Sequence, residues 1–176
     1  CEALFRLVGT DTSAQKNATG INLLGEFNLA GETWMIKEYY KKMGVDVVSV
    51  MTGDGRIADV RKAHTAALNV VQCSGSMIHV AELMKDKFGI PFKRVSYFGV
   101  EDMSAALYDI AGFFHDPEIE RKTAELVREE VARILPPLRE YRERLTGKRA
   151  AIYVGGAFKA FSLVRALRML GMETAL

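Results

Sequence analysis

Along this chain a short apolar run, a glycine-bearing turn and a stretch with apolar residues at helical spacing follow one another repeatedly. Ile21-Asn22-Leu23-Leu24 predicts a buried strand and Gly25 to Gly31 a glycine-flanked loop. Glu32 to Met43 predicts an amphipathic helix with Trp34, Met35, Tyr39 and Met43 on its apolar side, ended by Gly44. Val45 to Met51 is a second strand, Thr52-Gly53-Asp54-Gly55 a tight turn, and Arg56 to His64 a short helix. Leu68 to Gln72 is a third strand running into a loop at Cys73, and Ser76 to Phe88 is a helix closed by Gly89. Phe92 to Tyr97 reads as a fourth strand, followed by the Phe98-Gly99 loop and a helix through Phe114. Strands alternating with helices, with connections long enough for right-handed crossovers, predict an α/β fold: a doubly wound parallel four-stranded sheet with flanking helices.

The flanks differ in texture. Glu2 to Val8 has helical spacing and Asp11 to Gly20 is polar and turn-rich, which predicts the end of a preceding helix and a linker over 1–20, with the α/β domain at 21–115. From Asp116-Pro117 onward, Glu, Arg and Lys at i,i+4 offsets predict a helical connector over 116–147, two solvated helices broken at Pro136-Pro137. Arg149 to Val154 is then a fresh strand, Gly155-Gly156 a close-approach turn, and Ala160 to Leu170 a helix, the first β-α unit of a further α/β domain over 148–176. The chain has no initiator Met and stops at Leu176 as a new strand begins, so a fragment of a longer polypeptide is expected.

Composition narrows the function classes. Hydrophobic residues make up 49% and charged residues 26% of 176, the proportions of a chain that buries a core. A net charge of +2 gives no footprint for a nucleic-acid surface, and every apolar run is far shorter than the roughly 18 to 20 residues that span a bilayer, so neither nucleic acid nor membrane is expected as a partner. Two cysteines, Cys1 and Cys73, make no disulfide framework, and with no signal-peptide pattern the cytoplasm is the expected compartment.

The candidate chemistry gathers where strands end, because ligands of open α/β sheets bind beyond the carboxyl ends of the strands. Cys73 stands there; its thiolate can bind iron, zinc or another soft metal, and an inert buried thiol is the other reading that its spacing leaves open. Gly155-Gly156 can let a ligand approach backbone amides or can simply make a tight turn, and Lys159 can neutralise an anion or be a solvated lysine at a helix start. No GxGxxG or GxxxxGK[ST] follows a strand. His64, His79 and His115 share no ligand spacing and read as surface or helix-capping residues. Trp34, Tyr39 and Tyr40 read as a packing face, and Glu118 to Arg144 as a solvated one.

Ile21-Asn22-Leu23-Leu24-Gly25-Glu26-Phe27-Asn28, Thr52-Gly53-Asp54-Gly55-Arg56, Val71-Gln72-Cys73-Ser74, Tyr97-Phe98-Gly99 and Tyr153-Val154-Gly155-Gly156 together resemble the nitrogenase component-1 superfamily in order and spacing, and most of all its E-type branch of iron-molybdenum cofactor biosynthesis proteins. The resemblance implies three α/β domains around a metallocluster, of which this chain matches the middle one and the start of the third. It implies that Cys73 ligates a terminal iron of an iron-sulfur cluster, the iron-molybdenum cofactor precursor, and that Gly155 and Gly156 bring amide N–H groups toward its sulfides. A preassembled cluster carries its own bridging sulfides, so few protein ligands suffice. The catalytic α subunit has an arginine where this chain has Gly75 and a basic residue where it has Phe158, with Lys159 one step later. Fewer fixed basic side chains suit a site that releases its product, which implies a scaffold. Cys1 matches none of the family's upstream cluster cysteines.

For partners the resemblance implies an α2β2 complex with an N-type scaffold subunit. It also implies transient contact with precursor-delivery proteins and with the ATP-dependent nitrogenase reductase, the iron protein, for insertion of molybdenum and homocitrate before transfer to apo-nitrogenase. The alternatives are a catalytic α subunit of nitrogenase or a nitrogenase-like reductase, and a metal-free α/β binding domain in which Cys73 is only buried.

Overall fold

The computed structural model describes residues 2–11, 13–72, 75–153 and 157–175, and of Ser76, Ala157, Phe158 and Lys159 the backbone alone. Two compact units divide the chain, Cys1–Val95 and Ser96–Leu176. The first is built on a parallel four-stranded sheet of β1 (Asn17–Glu26), β2 (Asp46–Thr52), β3 (Ala66–Val71) and β4 (Phe92–Arg94) in the order β2-β1-β3-β4. The expected α/β class and strand count are thus observed. Its helices are α1 (Glu2–Phe5), α2 (Glu32–Met43), α3 (Ile57–Lys62) and α4 (Ser76–Phe88), with a 3-10 turn at Ala63–Thr65.

Strand order fixes the layers. The chain steps from β1 to β2 in one direction and from β2 to β3 to β4 in the other, so right-handed crossovers put α2 on one face and α3 and α4 on the opposite one. The core cluster of that second face agrees: Leu24, Met51 and Val71 from the strands pack with Val60, Val80 and Met84 from α3 and α4. On the α2 side, Thr33, Ile36, Tyr40 and Met43 form the buried stripe at i, i+3, i+7 and i+10. The adjacent strands β2, β1 and β3 are also tied by buried polar side chains. Ser49 Oγ donates to Asn22 Oδ1 at 2.7 Å, and Asn22 Nδ2 donates to Asn69 Oδ1 at 2.8 Å and to the Ala63 carbonyl at 2.9 Å.

Several boundaries differ from the sequence expectations for physical reasons. The strand expected at Ile21 begins at Asn17, inside the expected linker, because Asn17 already pairs with Ala66 and its amide donates to Asp46 Oδ2 at 3.1 Å. β1 runs on to Glu26 through a bulge at Gly25, whose φ of 86° falls in the left-handed region. α1 is shorter than Glu2 to Val8, and β4 ends at Arg94 after which the Val95 N–H makes a further bond to the Val71 carbonyl at 3.0 Å. The expected packing face of Trp34, Tyr39 and Tyr40 holds for the two tyrosines, whereas Trp34 is 61% exposed. A 100° step per residue puts Thr33, not Trp34, in line with Ile36 and Tyr40.

The second unit holds α5 (Val100–Phe114), α6 (Pro117–Leu145), β5 (Arg149–Ala151), α7 (Ala157–Met169) and β6 (Glu173–Ala175), with β5 and β6 paired in parallel. α6 is one helix of 29 residues rather than two. Asp116 caps it, accepting from the Glu118 and Ile119 N–H groups at 2.8 and 3.3 Å, with Pro117 at the first helical position. Ile119, Thr123, Leu126 and Val127 bury its first half. Pro136 and Pro137 fall on the exposed second half, where water can satisfy the carbonyls their missing N–H groups leave. Arg121 braces the charged side, reaching Glu118 and Glu125 at 2.7 Å each and holding the Glu118 carboxyl down at about 2.

Candidate functional site

Parallel strands all end at one edge, and in the order β2-β1-β3-β4 the topology reverses between β1 and β3. That crevice is where open α/β sheets bind ligands. β1 delivers Glu26 to it, a buried carboxylate whose Oε1 accepts the Asn28 N–H at 2.8 Å. Asn28 Oδ1 in turn accepts the Thr33 N–H at 3.2 Å, tying the loop to the first turn of α2. β2 delivers Gly53, whose N–H donates to the Glu26 carbonyl at 2.8 Å. A Cβ on Gly53 would lie 2.3 Å from the Phe27 carbonyl carbon, so only glycine lets these two loops meet. Lys37 reaches Asp54 at 3.0 Å, and that hydrogen bond holds the Asp54 carboxyl below the usual aspartate range. Phe27, Leu29 and Trp34 point outward on this rim.

β3 brings Gln72 to the crevice. Its N–H donates to the Leu24 carbonyl at 2.9 Å, one ladder bond beyond the end of β3. Cys73 follows it in sequence but lies outside the described residues, as do Gly155 and Gly156, and the side chain of Lys159 is not described. α4 then starts at Ser76 behind Gly75, with no side-chain cap and no acidic residue in its first turn. The helix dipole favours negative charge at this edge. Among the described residues no cluster of three or more His, Cys, Asp or Glu side chains stands ready for a metal ion.

Among the described residues two buried oxygens at this edge have no hydrogen-bond partner, Thr33 Oγ1 and Gln72 Oε1; a third orphan, Asn69 Nδ2, belongs to the polar tie inside the sheet. An orphaned buried polar atom costs about 1–3 kcal/mol. The Thr33 hydroxyl and the Gln72 carboxamide can each donate a hydrogen bond, which fits an anionic guest, the kind of group that the resemblance implies. Neither Thr33 nor Gln72 stands among the residues read from sequence as site residues. The signal for Gln72 is a polar residue closing an apolar run; for Thr33 it is a polar residue in phase with the buried stripe.

The other side chains singled out from sequence do not join this site. His64 is buried rather than on the surface, with Nδ1 2.8 Å from the Arg61 carbonyl and Nε2 3.0 Å from the Asp11 carbonyl, and it ties the segment before β1 to the 3-10 turn. His79 is exposed on α4 beside Glu82, and His115 ends α5 in the left-handed conformation. In the second unit a shallow recess is lined by Phe98, Gly99, Asp102, Ser162 and Arg165. Its polar groups satisfy one another, Asp102 with Arg165 at 2.9 Å and Ser96 with Ser162 at 2.9 Å. No helix among the described residues is long and apolar enough to cross a membrane.

Comparison with known proteins places these features. Residues 1–176 match the family described as nitrogenase component 1 type oxidoreductase. The nitrogenase iron-molybdenum cofactor biosynthesis protein NifE of Clostridium pasteurianum is 49% identical over 176 residues, all of this chain and 38% of that protein. The nitrogenase molybdenum-iron protein alpha chain of the same organism is 36% identical over 168 residues, 96% of this chain and 31% of that one. A solved structure titled "Nitrogenase Cp1 at pH 5" superposes with a TM-score of 0.92 at 33% identity, covering 98% of this chain and 35% of its own. The chain therefore spans less than two fifths of each of these three proteins.

Proposed function

The chain belongs to the nitrogenase component 1 type oxidoreductase family, and on that premise we propose that it is part of a scaffold subunit on which the iron-molybdenum cofactor is assembled from an iron-sulfur precursor before transfer to apo-nitrogenase. One observation carries this reading over the catalytic one. Of two proteins from one organism, the cofactor-biosynthesis protein shares 49% of aligned positions with this chain and the nitrogenase alpha chain 36%. Within the scaffold, 21–115 is the cluster-bearing middle domain, 116–147 its helical connector and 148–176 the start of the next domain.

Cys73 is the anchoring ligand in this reading. Its thiol loses a proton on binding, and the thiolate matches iron in softness. The sheet edge supports the assignment: Gln72 ends the ladder at the β1/β3 crevice, and α4 opens one residue past Gly75 without a cap. Gly155 and Gly156 present backbone amides to the sulfides, and Lys159 offsets the cluster's charge. The working unit is an α2β2 complex with an N-type partner in the cytoplasm, contacted by precursor-delivery proteins and by the nitrogenase iron protein.

The full-length parent, purified anaerobically with its partner, provides the test. Wild type carries iron and a cluster EPR signal, and Cys73→Ala loses most of both. Equal iron and equal spectra would overturn the anchor assignment. The catalytic reading rests on the TM-score of 0.92 to a nitrogenase structure; acetylene reduction by the purified complex at nitrogenase-like rates would establish it in place of the scaffold.

A further inference from the structure

A thiolate anchor leaves two atoms of the crevice without a role, Thr33 Oγ1 and Gln72 Oε1, both buried and both without a partner among the described residues. They share a layer and an edge. Thr33, 0% exposed, heads the stripe of α2 that faces the sheet, and its own N–H is already taken by Asn28 Oδ1. The bond from the Gln72 N–H to the Leu24 carbonyl carries the pleat of β3 one residue on. Alternation from Val71, which sits in the core on the α3 and α4 side, therefore sends the Gln72 side chain to the α2 side. Because a crossover helix runs antiparallel to its strands, the first turn of α2 and position 72 lie at the same carboxyl edge.

Both groups can donate a hydrogen bond. The threonine hydroxyl hydrogen rotates freely, and the glutamine carboxamide, turned half a revolution about its last torsion, presents N–H where Oε1 lies. We propose that Thr33 and Gln72 are a hydrogen-bonding pair lining the α2 side of the cargo site, donating O–H and N–H to sulfur of an anionic iron-sulfur guest. This rests on the reading of Cys73 as its anchor. Hydrogen bonds to cluster sulfur withdraw electron density and stabilise the reduced state, so the pair sets the guest's reduction potential as well as its seat.

The test compares wild type, Thr33→Val, Thr33→Ser, Gln72→Leu and Cys73→Ala in the full-length parent with its partner, loaded anaerobically with iron and sulfide and titrated potentiometrically by EPR. Thr33→Val exchanges hydroxyl for methyl at constant shape. Thr33→Val and Gln72→Leu are expected to move the midpoint potential negative, or to lose iron at an unchanged far-UV spectrum, while Thr33→Ser stays at the wild-type value. If Gln72→Leu fails to fold, Gln72→Glu takes its place with the same expectation. Wild-type iron and wild-type potential in Thr33→Val or in the Gln72 variant overturns the pair, the orphaned atoms then being satisfied by water. Wild-type iron in Cys73→Ala overturns the anchor and this inference with it. Iron lost only in Cys73→Ala, with wild-type potentials in the Thr33 and Gln72 variants, overturns this inference alone.

Discussion

Single residues at the sheet edge carry constraints that no neighbour can share. Gly53 is the sharpest. Its missing side chain lets the β2 turn lie against the Phe27–Asn28 backbone, and a Cβ there would sit 2.6 Å from the Asn28 nitrogen. Backbone on both sides leaves no flexible group to give way. Gly53→Ala is expected to destabilise the chain by about 1–3 kcal/mol and to displace the loop that holds Asn28 against Thr33. Urea denaturation reads the first effect, and amide hydrogen exchange at Thr33 reads the second. At this scale the sequence was partly legible. A cysteine after an apolar strand and glycines after two others mark the carboxyl ends of strands by residue type alone. Thr33 and Gln72 do not, because an orphaned atom is defined by what fails to reach it, and that depends on strands distant in sequence.

Among the elements, α6 departs most from what its residues foretell. A Pro-Pro pair removes two N–H donors and should end a helix, yet α6 continues to Leu145 because the affected turn is exposed and its carbonyls can turn to water. The cost is present nonetheless. Pro136→Ala is expected to raise stability by about 2 kcal/mol, the helix-interior penalty of proline less the entropy it removes from the unfolded chain. A shift of the urea midpoint with an unchanged slope would check it. The strand-turn-helix elements were read nearly to their ends, since hydrophobic period and glycine stops are local signals. The errors lie where tertiary pairing overrides them: β1 recruits polar residues 17–20, and α2 buries Thr33 instead of Trp34.

For the molecule as a whole, the family, the parallel sheet and its edge were open to the sequence, whereas the crossing of β3 to the far side of β1 was not. Periodicity names strands without ordering them; only the order shows that β3 and Gln72 end at the sheet's reversal point. A guest bound there and nowhere in the unfolded chain stabilises the native state by mass action. On the scaffold reading proposed above, loading the full-length complex with an iron-sulfur cluster is expected to raise the melting temperature of wild type and to leave that of Cys73→Ala where it was, as differential scanning calorimetry under anaerobic conditions would show.

The polar tie of Ser49, Asn22 and Asn69 bears on how faithfully that site is made. Parallel strands with apolar residues on both faces, such as β1 and β3, can slide past one another with little loss of burial, and a slide by one position turns every side chain over. The tie forbids it, because a shifted β3 would set Leu68 or Val70 opposite Asn22 and leave its amide unmatched in the interior. Three residues beyond Asn69, the same parity decides whether Gln72 looks toward α2 or away from it. The amides in the middle of the sheet thus act as a proofreading key for the mouth: a chain that pairs wrongly pays inside the core before it can present a mis-assembled site to any guest.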